Sequence, residues 1–155
     1  MSRKKQPNSQ MCFACGLENP VGLKLPFYEE ADGRVTTAYA PADHFQGYPG
    51  VLHGGIVTAL LDETLGRVAI AQGEFMVTAR LNVRFRKPVP LGQRLLVEGR
   101  ATGRRRGILS VEGRVLLEDG TVLAEATATF MPLPPETQEA MVEALAFWEV
   151  VPDED

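Results

Sequence analysis

The chain is short of several residues on which familiar chemistries depend. It has only two cysteines, Cys12 and Cys15, among 155 residues. So few exclude a disulfide framework, and they place the protein in a reducing, cytoplasmic compartment. The only serines are Ser2, Ser9 and Ser110, and no Gly-x-Ser-x-Gly occurs, which excludes a serine-hydrolase elbow. Long apolar runs are missing as well. The first residues, Ser2-Arg3-Lys4-Lys5-Gln6-Pro7, hold no signal-peptide core, and the most apolar stretch is interrupted by Asp62, Glu63 and Arg67, so no membrane insertion is expected. Basic residues are absent from 136 to 155, whereas between Arg80 and Arg114 the only acids are Glu98 and Glu112. A basic middle suits an anionic ligand, or it simply coats a sheet. Nucleic acid is not expected, because the net charge is -4 and no binding motif or DNA-binding segment is visible.

What is present fits one domain with its own core. Residues 53–71 read as a helix apolar on nearly every side, which belongs inside a fold rather than on its surface. Before it, residues 1–11 read as a polar, mobile arm. Residues 23–30 and 34–40 read as two strands joined across Asp32-Gly33, and residues 41–50 as an irregular loop rich in proline and glycine. Gly73 ends the helix. Four strands follow, over 75–87, 94–102, 108–118 and 121–131, with turns at Gly103-Arg104-Arg105-Arg106-Gly107 and Asp119-Gly120. Alternation puts Leu81, Val83 and Phe85 on one face of the first, and Arg80, Asn82, Arg84 and Arg86 on the other. Ala124, Ala126 and Ala128 share a face, leaving room for the helix. After Pro134-Pro135 comes a short acidic helix with Met141, Leu145 and Trp148 on one side, placed to dock on the domain or on a partner subunit. Strands, one long helix and more strands predict an α+β fold with a helix against one face of a sheet.

His53-Gly54-Gly55, followed by Asp62 nine positions after the histidine, does not stand alone. With it come Cys12-Phe13-Ala14-Cys15-Gly16, Asn19-Pro20-Val21-Gly22-Leu23, the approach Phe45-Gln46-Gly47-Tyr48-Pro49-Gly50-Val51-Leu52, and Leu61-Asp62-Glu63. Together they resemble the hotdog-fold acyl-CoA thioesterases of the PaaI type, over roughly residues 12–131. The resemblance implies a hotdog fold, with an antiparallel sheet of about five to six strands wrapped around the central helix. An arm (1–11) would precede it, and a short C-terminal helix and acidic tail (132–155) would follow. It also implies hydrolysis of an acyl-CoA to a free acid and coenzyme A, with no cofactor beyond the coenzyme A of the substrate, and a supporting role for His53. Thr78, sixteen residues after Asp62, falls where the family holds a serine or threonine that helps place the attacking water. One departure stands out: many relatives have Asn or Gln six residues before the histidine, where this chain has Gly47 with Gln46 adjacent.

The residues support that chemistry on their own terms. Thioester hydrolysis needs donors for charge on the carbonyl oxygen and a group that activates water or attacks directly. Gly54 and Gly55 open the first turn of a helix, where amides are unpaired and the dipole is positive, so a carbonyl can approach them closely. Asp62 and Glu63 compete for the second role. Glu63 has Arg67 four positions on, a structural occupation. Asp62 has no such partner and lies on a stripe of small residues, Gly55, Ala59, Gly66 and Ala69. A carboxylate without a counter-ion in a partly apolar cleft suits proton abstraction, so Asp62 is preferred. Nine residues of helix span about 13 Å, too far for Asp62 to act on a carbonyl held at its own Gly54 and Gly55. The expected assembly is therefore an antiparallel homodimer with shared sites, the dimers pairing further into a homotetramer. The phosphates of coenzyme A would meet Arg84, Arg86 and Lys87 on a strand and Arg104, Arg105 and Arg106 on their turn. No metal is assigned: zinc takes about four ligands, and Cys12 and Cys15 have only His44 and His53 as softer partners, so the thiols read as small packing groups. Two rival readings remain, a hotdog dehydratase using His44 and a non-catalytic acyl-CoA-binding module.

Overall fold

A computed structural model of the chain describes residues 2–145 and 147–154. Met1, Ala146 and Asp155, which the expected arm and tail include, lie outside the described residues. The strands are β1 (Lys4–Lys5), β2 (Asn8–Ser9), β3 (Tyr28–Glu29), β4 (Val35–Tyr39), β5 (Met76–Phe85), β6 (Leu95–Arg105), β7 (Ile108–Leu117), β8 (Val122–Pro132) and β9 (Trp148–Glu149). The helices are α1 (Gly54–Ala71) and α2 (Pro135–Ala144). Seven strands form one antiparallel sheet in the order β1-β3-β4-β6-β7-β8-β5, and β2 pairs separately with β9.

The helix is the axis of this arrangement. His53 caps its start, and the chain leaves it through Gln72 into Gly73 at φ 82, a conformation that glycine adopts without strain. Val57, Leu60, Leu61, Thr64, Leu65, Arg67, Val68 and Ala69 are buried, so one turn after another faces protein. The sheet makes space for it with missing side chains. Gly99 of β6 stands opposite Gly113 of β7, which stands opposite Ala126 of β8, a small-residue row crossing three strands. Leu65 fills that row: a Cβ built on Gly113 would lie 2.8 Å from Leu65 Cδ2, and one on Gly99 would lie 3.0 Å from it. Ala124, Ala126 and Ala128 are buried as expected, and β4 to β8 all touch α1. This is the hotdog arrangement, a sheet curled around one helix.

Several expectations are corrected. The sheet has seven strands rather than five or six, because the N-terminal segment joins it. The mobile arm expected over residues 1–11 is instead paired. Lys4–Lys5 lies along Tyr28–Glu29, Asn8–Ser9 lies along Trp148–Glu149, and Gln6, Asn8 and Ser9 are buried. Their polar side chains find partners there: Asn8 Nδ2 donates to the carbonyls of Cys15 and Leu25, and Gln6 Nε2 donates to Arg67 O. Polar composition alone cannot reveal such satisfied burial. Of the strand expected at 23–30, only Tyr28–Glu29 pairs; Leu23, Leu25 and Phe27 serve the core in irregular backbone. Ala69 is fully buried, so the small-residue stripe does not continue along an open surface. No residue of α2 is fully buried, and Trp148 beyond it packs on Phe75 and Arg67.

Candidate active site

The loop before α1 and the loop after β5 enclose a cleft at the helix start. Gln46, Gly47, Val51, His53, Gly54, Val57, Phe85, Arg86 and Lys87 are among its walls, and its volume is about 820 Å³. That lies within the range of small-molecule sites. Isolated bridges from Val51 to Pro90 and from Gln46 to Leu52 hold the loop in place, and Gln46 Oε1 accepts from Gly50 N. Gln46 thus shapes the rim. Gly47 passes so close to His53 that a Cβ would stand 3.1 Å from its Cα.

The helix start differs from expectation in one respect. His53 Nδ1 accepts the Gly55 N–H at 2.9 Å, so this amide is used for capping. Among the described residues, the Gly54 N–H has no hydrogen-bond partner, and it opens into the cleft at the positive end of the α1 dipole. Of the two glycine amides, that of Gly54 is unbonded among the described residues and that of Gly55 is not.

Asp62 lies two turns along the helix, and Thr78 Oγ1 donates to Asp62 Oδ1 at 2.7 Å. The pair marks the beginning of β5, while Phe85, whose ring would lie 3.7 Å from a Cβ on Gly54, marks its end. The cleft and the Asp62–Thr78 pair are thus held at opposite ends of one strand. That strand is one edge of the sheet, the other being β1, and Val77 and Phe85 on it are exposed.

Glu63 is occupied as expected. Its Oε1 lies 3.1 Å from Arg67 Nε, and burial pushes its carboxyl above the usual range even with that guanidinium beside it. Arg67 itself is buried between the rings of Phe27 and Trp148, with Nη1 donating to Pro7 O. Of the anticipated phosphate partners, Arg86 and Lys87 line the cleft. Arg84 does not: it lies on the outer face of the sheet with Arg34, Glu98, Arg114 and Glu125. The strand ends at Phe85, and the N–H groups of Arg86 and Lys87 both bond Leu123 O; the Arg86 residue reaches the cleft wall, while its guanidinium pairs with Glu125 at 2.8 Å, the acid that also stands opposite Arg84. Arg104 reaches Glu74 and Gln72 at the far end of α1, and Arg105 and Arg106 are exposed beside it. His44 sits outside the cleft walls, its ring against Phe45. Cys15 is buried and Cys12 half-buried; Glu63 lies beside them, a neighbour that sequence spacing did not reveal.

The model of the thioesterase superfamily matches residues 49–124, the span from the cleft loop through α1 to the middle of β8. This chain belongs to that superfamily. Thioesterase-superfamily relatives extend the match outward. Mouse acyl-coenzyme A thioesterase THEM4 is 31% identical over 143 residues, covering 86% of this chain and 59% of its own length. The chain therefore spans little more than half of that curated relative. A crystallised thioesterase superfamily protein is 27% identical with a TM-score of 0.75, covering 79% of this chain and 63% of the other. A Streptococcus mutans protein crystallised bound to acetyl CoA is 30% identical with a TM-score of 0.62, covering 65% of this chain and 82% of the other. Likeness to the PaaI protein of Escherichia coli, at 14% identity and a TM-score of 0.66, extends the agreement in fold to the branch that the motifs resemble.

Proposed function

We propose that the chain is an acyl-CoA thioesterase whose sites are shared between two copies. The observation that carries this reading is the placement of two half-sites at opposite ends of the free edge strand β5. From Gly54 to Asp62 the helix rises about 12 Å, so one chain cannot bring both to a single carbonyl carbon. Antiparallel pairing of β5 with β5 of a second copy solves this. It sets Thr78 and Asp62 of one protomer beside Gly54 and Phe85 of its partner, twice by symmetry, and it covers the exposed Val77 and Phe85.

In the joined site, the Gly54 N–H and the helix dipole stabilise negative charge on the thioester oxygen. Thr78 donates to Asp62 Oδ1, which fixes the carboxylate and leaves Oδ2 facing the substrate. Oδ2 then acts in one of two ways: it takes a proton from a water that adds to the carbonyl carbon and passes that proton to the sulfur as the C–S bond breaks, or it adds to the carbon itself, expelling the coenzyme A thiolate and leaving an acyl–Asp62 anhydride that water hydrolyses to the free acid and Asp62, a proton of that water going to the thiolate. His53 holds the Gly-Gly turn through its acceptor nitrogen rather than shuttling protons. The phosphates meet Arg86 and Lys87 at the cleft. Arg104, Arg105 and Arg106 join from the other protomer, because the β6–β7 turn lies at the Asp62 end: Leu109 pairs with Phe130, which pairs with Thr78. The exposed position of His44 argues against a dehydratase that relies on it as base.

The test is thiol release from short, long and aromatic acyl-CoAs, with Asp62→Asn as control. Release by the wild-type chain and its loss in the variant support the proposal. Tight binding of acyl-CoA with no release would instead favour a binding module.

A further inference from the structure

The turn carrying Cys12 and Cys15 lies against the middle of α1, and none of its residues lines the cleft. The fold gives it a third donor. Cys12 Sγ, Cys15 Sγ and a Glu63 carboxylate oxygen all lie within 4.8 Å of one another, with Cys12 Sγ 4.0 Å from Glu63 Oε2. Glu63 turns its other oxygen to Arg67, and Ser9 Oγ stands 3.2 Å from Cys15 Sγ.

Two thiols and a carboxyl therefore converge beside one guanidinium. The hydrogen bond from Cys12 and the charge of Arg67 bring the Cys15 thiol down to about 5, against the opposing effect of burial. That hydrogen bond, burial and Glu63 push the Cys12 thiol up, and burial pushes the Glu63 carboxyl up. Were all three donors ionised, three negative charges would face one positive charge, and a divalent cation would bring the sum to zero. Arg67 also carries a buried nitrogen, Nη2, without a hydrogen-bond partner among the described residues.

The distances fit a metal of the zinc class. Bonds of about 2.3 Å to sulfur and about 2.0 Å to oxygen give tetrahedral edges of roughly 3.5–3.8 Å. Small side-chain rotations close the observed triangle to that size. A pair of cysteines separated by two residues is a common zinc spacing, and thiolates select such metals over magnesium or calcium. Cys12 is only half-buried, which leaves an entry path and a fourth position for water.

We propose that Cys12, Cys15 and Glu63 form a zinc-class metal site that clips the N-terminal turn onto α1. Metal there fixes the helical turn that also bears Asp62. The experiment uses the whole chain, reduced, stripped by a chelator and titrated with Co²⁺. The expected result is thiolate-to-cobalt charge-transfer absorption that saturates at one equivalent, is displaced by Zn²⁺, and disappears in Cys12→Ser/Cys15→Ser. Glu63→Gln, with both thiols intact, binds at least tenfold more weakly. Should the serine variant fail to fold, alkylation of the wild-type chain gives the same answer: Zn²⁺ protects both thiols, relative to the chelated protein. Absence of charge transfer, unprotected thiols, undiminished affinity in either variant, or a Cys12–Cys15 disulfide in protein purified under reducing conditions would each overturn the site.

Discussion

If each site takes its carbonyl donor from one protomer and its carboxylate from the other, two inactive variants must rescue each other when mixed. Asp62→Asn removes the base while leaving an amide oxygen to accept from Thr78. Gly54→Pro removes the free N–H and little else. Gly54 is the first residue of α1, where proline is tolerated, and the preceding His53 has φ -55 and ψ 133, the extended form that proline requires of its neighbour. A Cβ at Gly54 comes no closer than 3.7 Å to Phe85. Loss of one oxyanion donor lowers kcat by about 10²–10³, or about 2.7–4 kcal/mol, and loss of a general base costs about 10²–10⁴. Each homodimer is then nearly silent. In an equal mixture with free exchange, half the dimers are mixed and each has one intact site, so activity recovers to about a quarter of wild type. A site confined to one chain recovers nothing. The assay is thiol release from acyl-CoA after co-refolding differently tagged variants, with mixed dimers counted by native mass spectrometry. Mixed dimers at background activity would refute the shared site.

Three further outcomes follow from particular contacts. Thr78→Val keeps the shape of the strand but removes the donor to Asp62; loss of a hydrogen bond to a charged group, about 1.5 kcal/mol or more, lowers kcat roughly tenfold with KM nearly unchanged. Neutralising Arg104, Arg105 and Arg106 together raises KM for an acyl-CoA more than for a short acyl-pantetheine thioester, and equal effects would remove the turn from the site. Glu98 gives a pH signature. Burial opposes its ionisation, but bonds from Arg114 and Arg34 outweigh this and hold its carboxyl below the ordinary 4.5. Its contribution to stability is complete above that ordinary value and fades as the pH falls through the lower folded-state value. In melting scans, Glu98→Gln is less stable than wild type at pH 7, and the gap closes in acid; a gap independent of pH would contradict the pairing.

The outline of the fold was legible because its signals are local and periodic. The all-round apolar helix, the alternation along β5 and the turns at Gly33 and Gly120, both with φ 89, can each be read from a few adjacent residues. The Glu63–Arg67 pair was legible for a similar reason: an i,i+4 partner is a property of the helix alone. The misreadings share a cause as well. Gln6, Asn8 and Ser9 look like a solvated arm, yet the carbonyls that satisfy Asn8 belong to residues 15 and 25. Arg84 reads as a phosphate partner, yet it lies on the outer face of the sheet beside Glu98 and Glu125.

By itself, the sequence determined the helix, the hairpins and the cast of chemical groups, because spacing along a chain dictates which residues share a helix or strand face. Only the tertiary structure decided which groups meet. It gave the Gly55 amide to His53 and left that of Gly54 free, joined Asp62 to Thr78, brought Glu63 to the two cysteines, and put β5 at the edge of the sheet. Those pairings depend on contacts between segments far apart in the chain, and such contacts leave no period in the residues that make them.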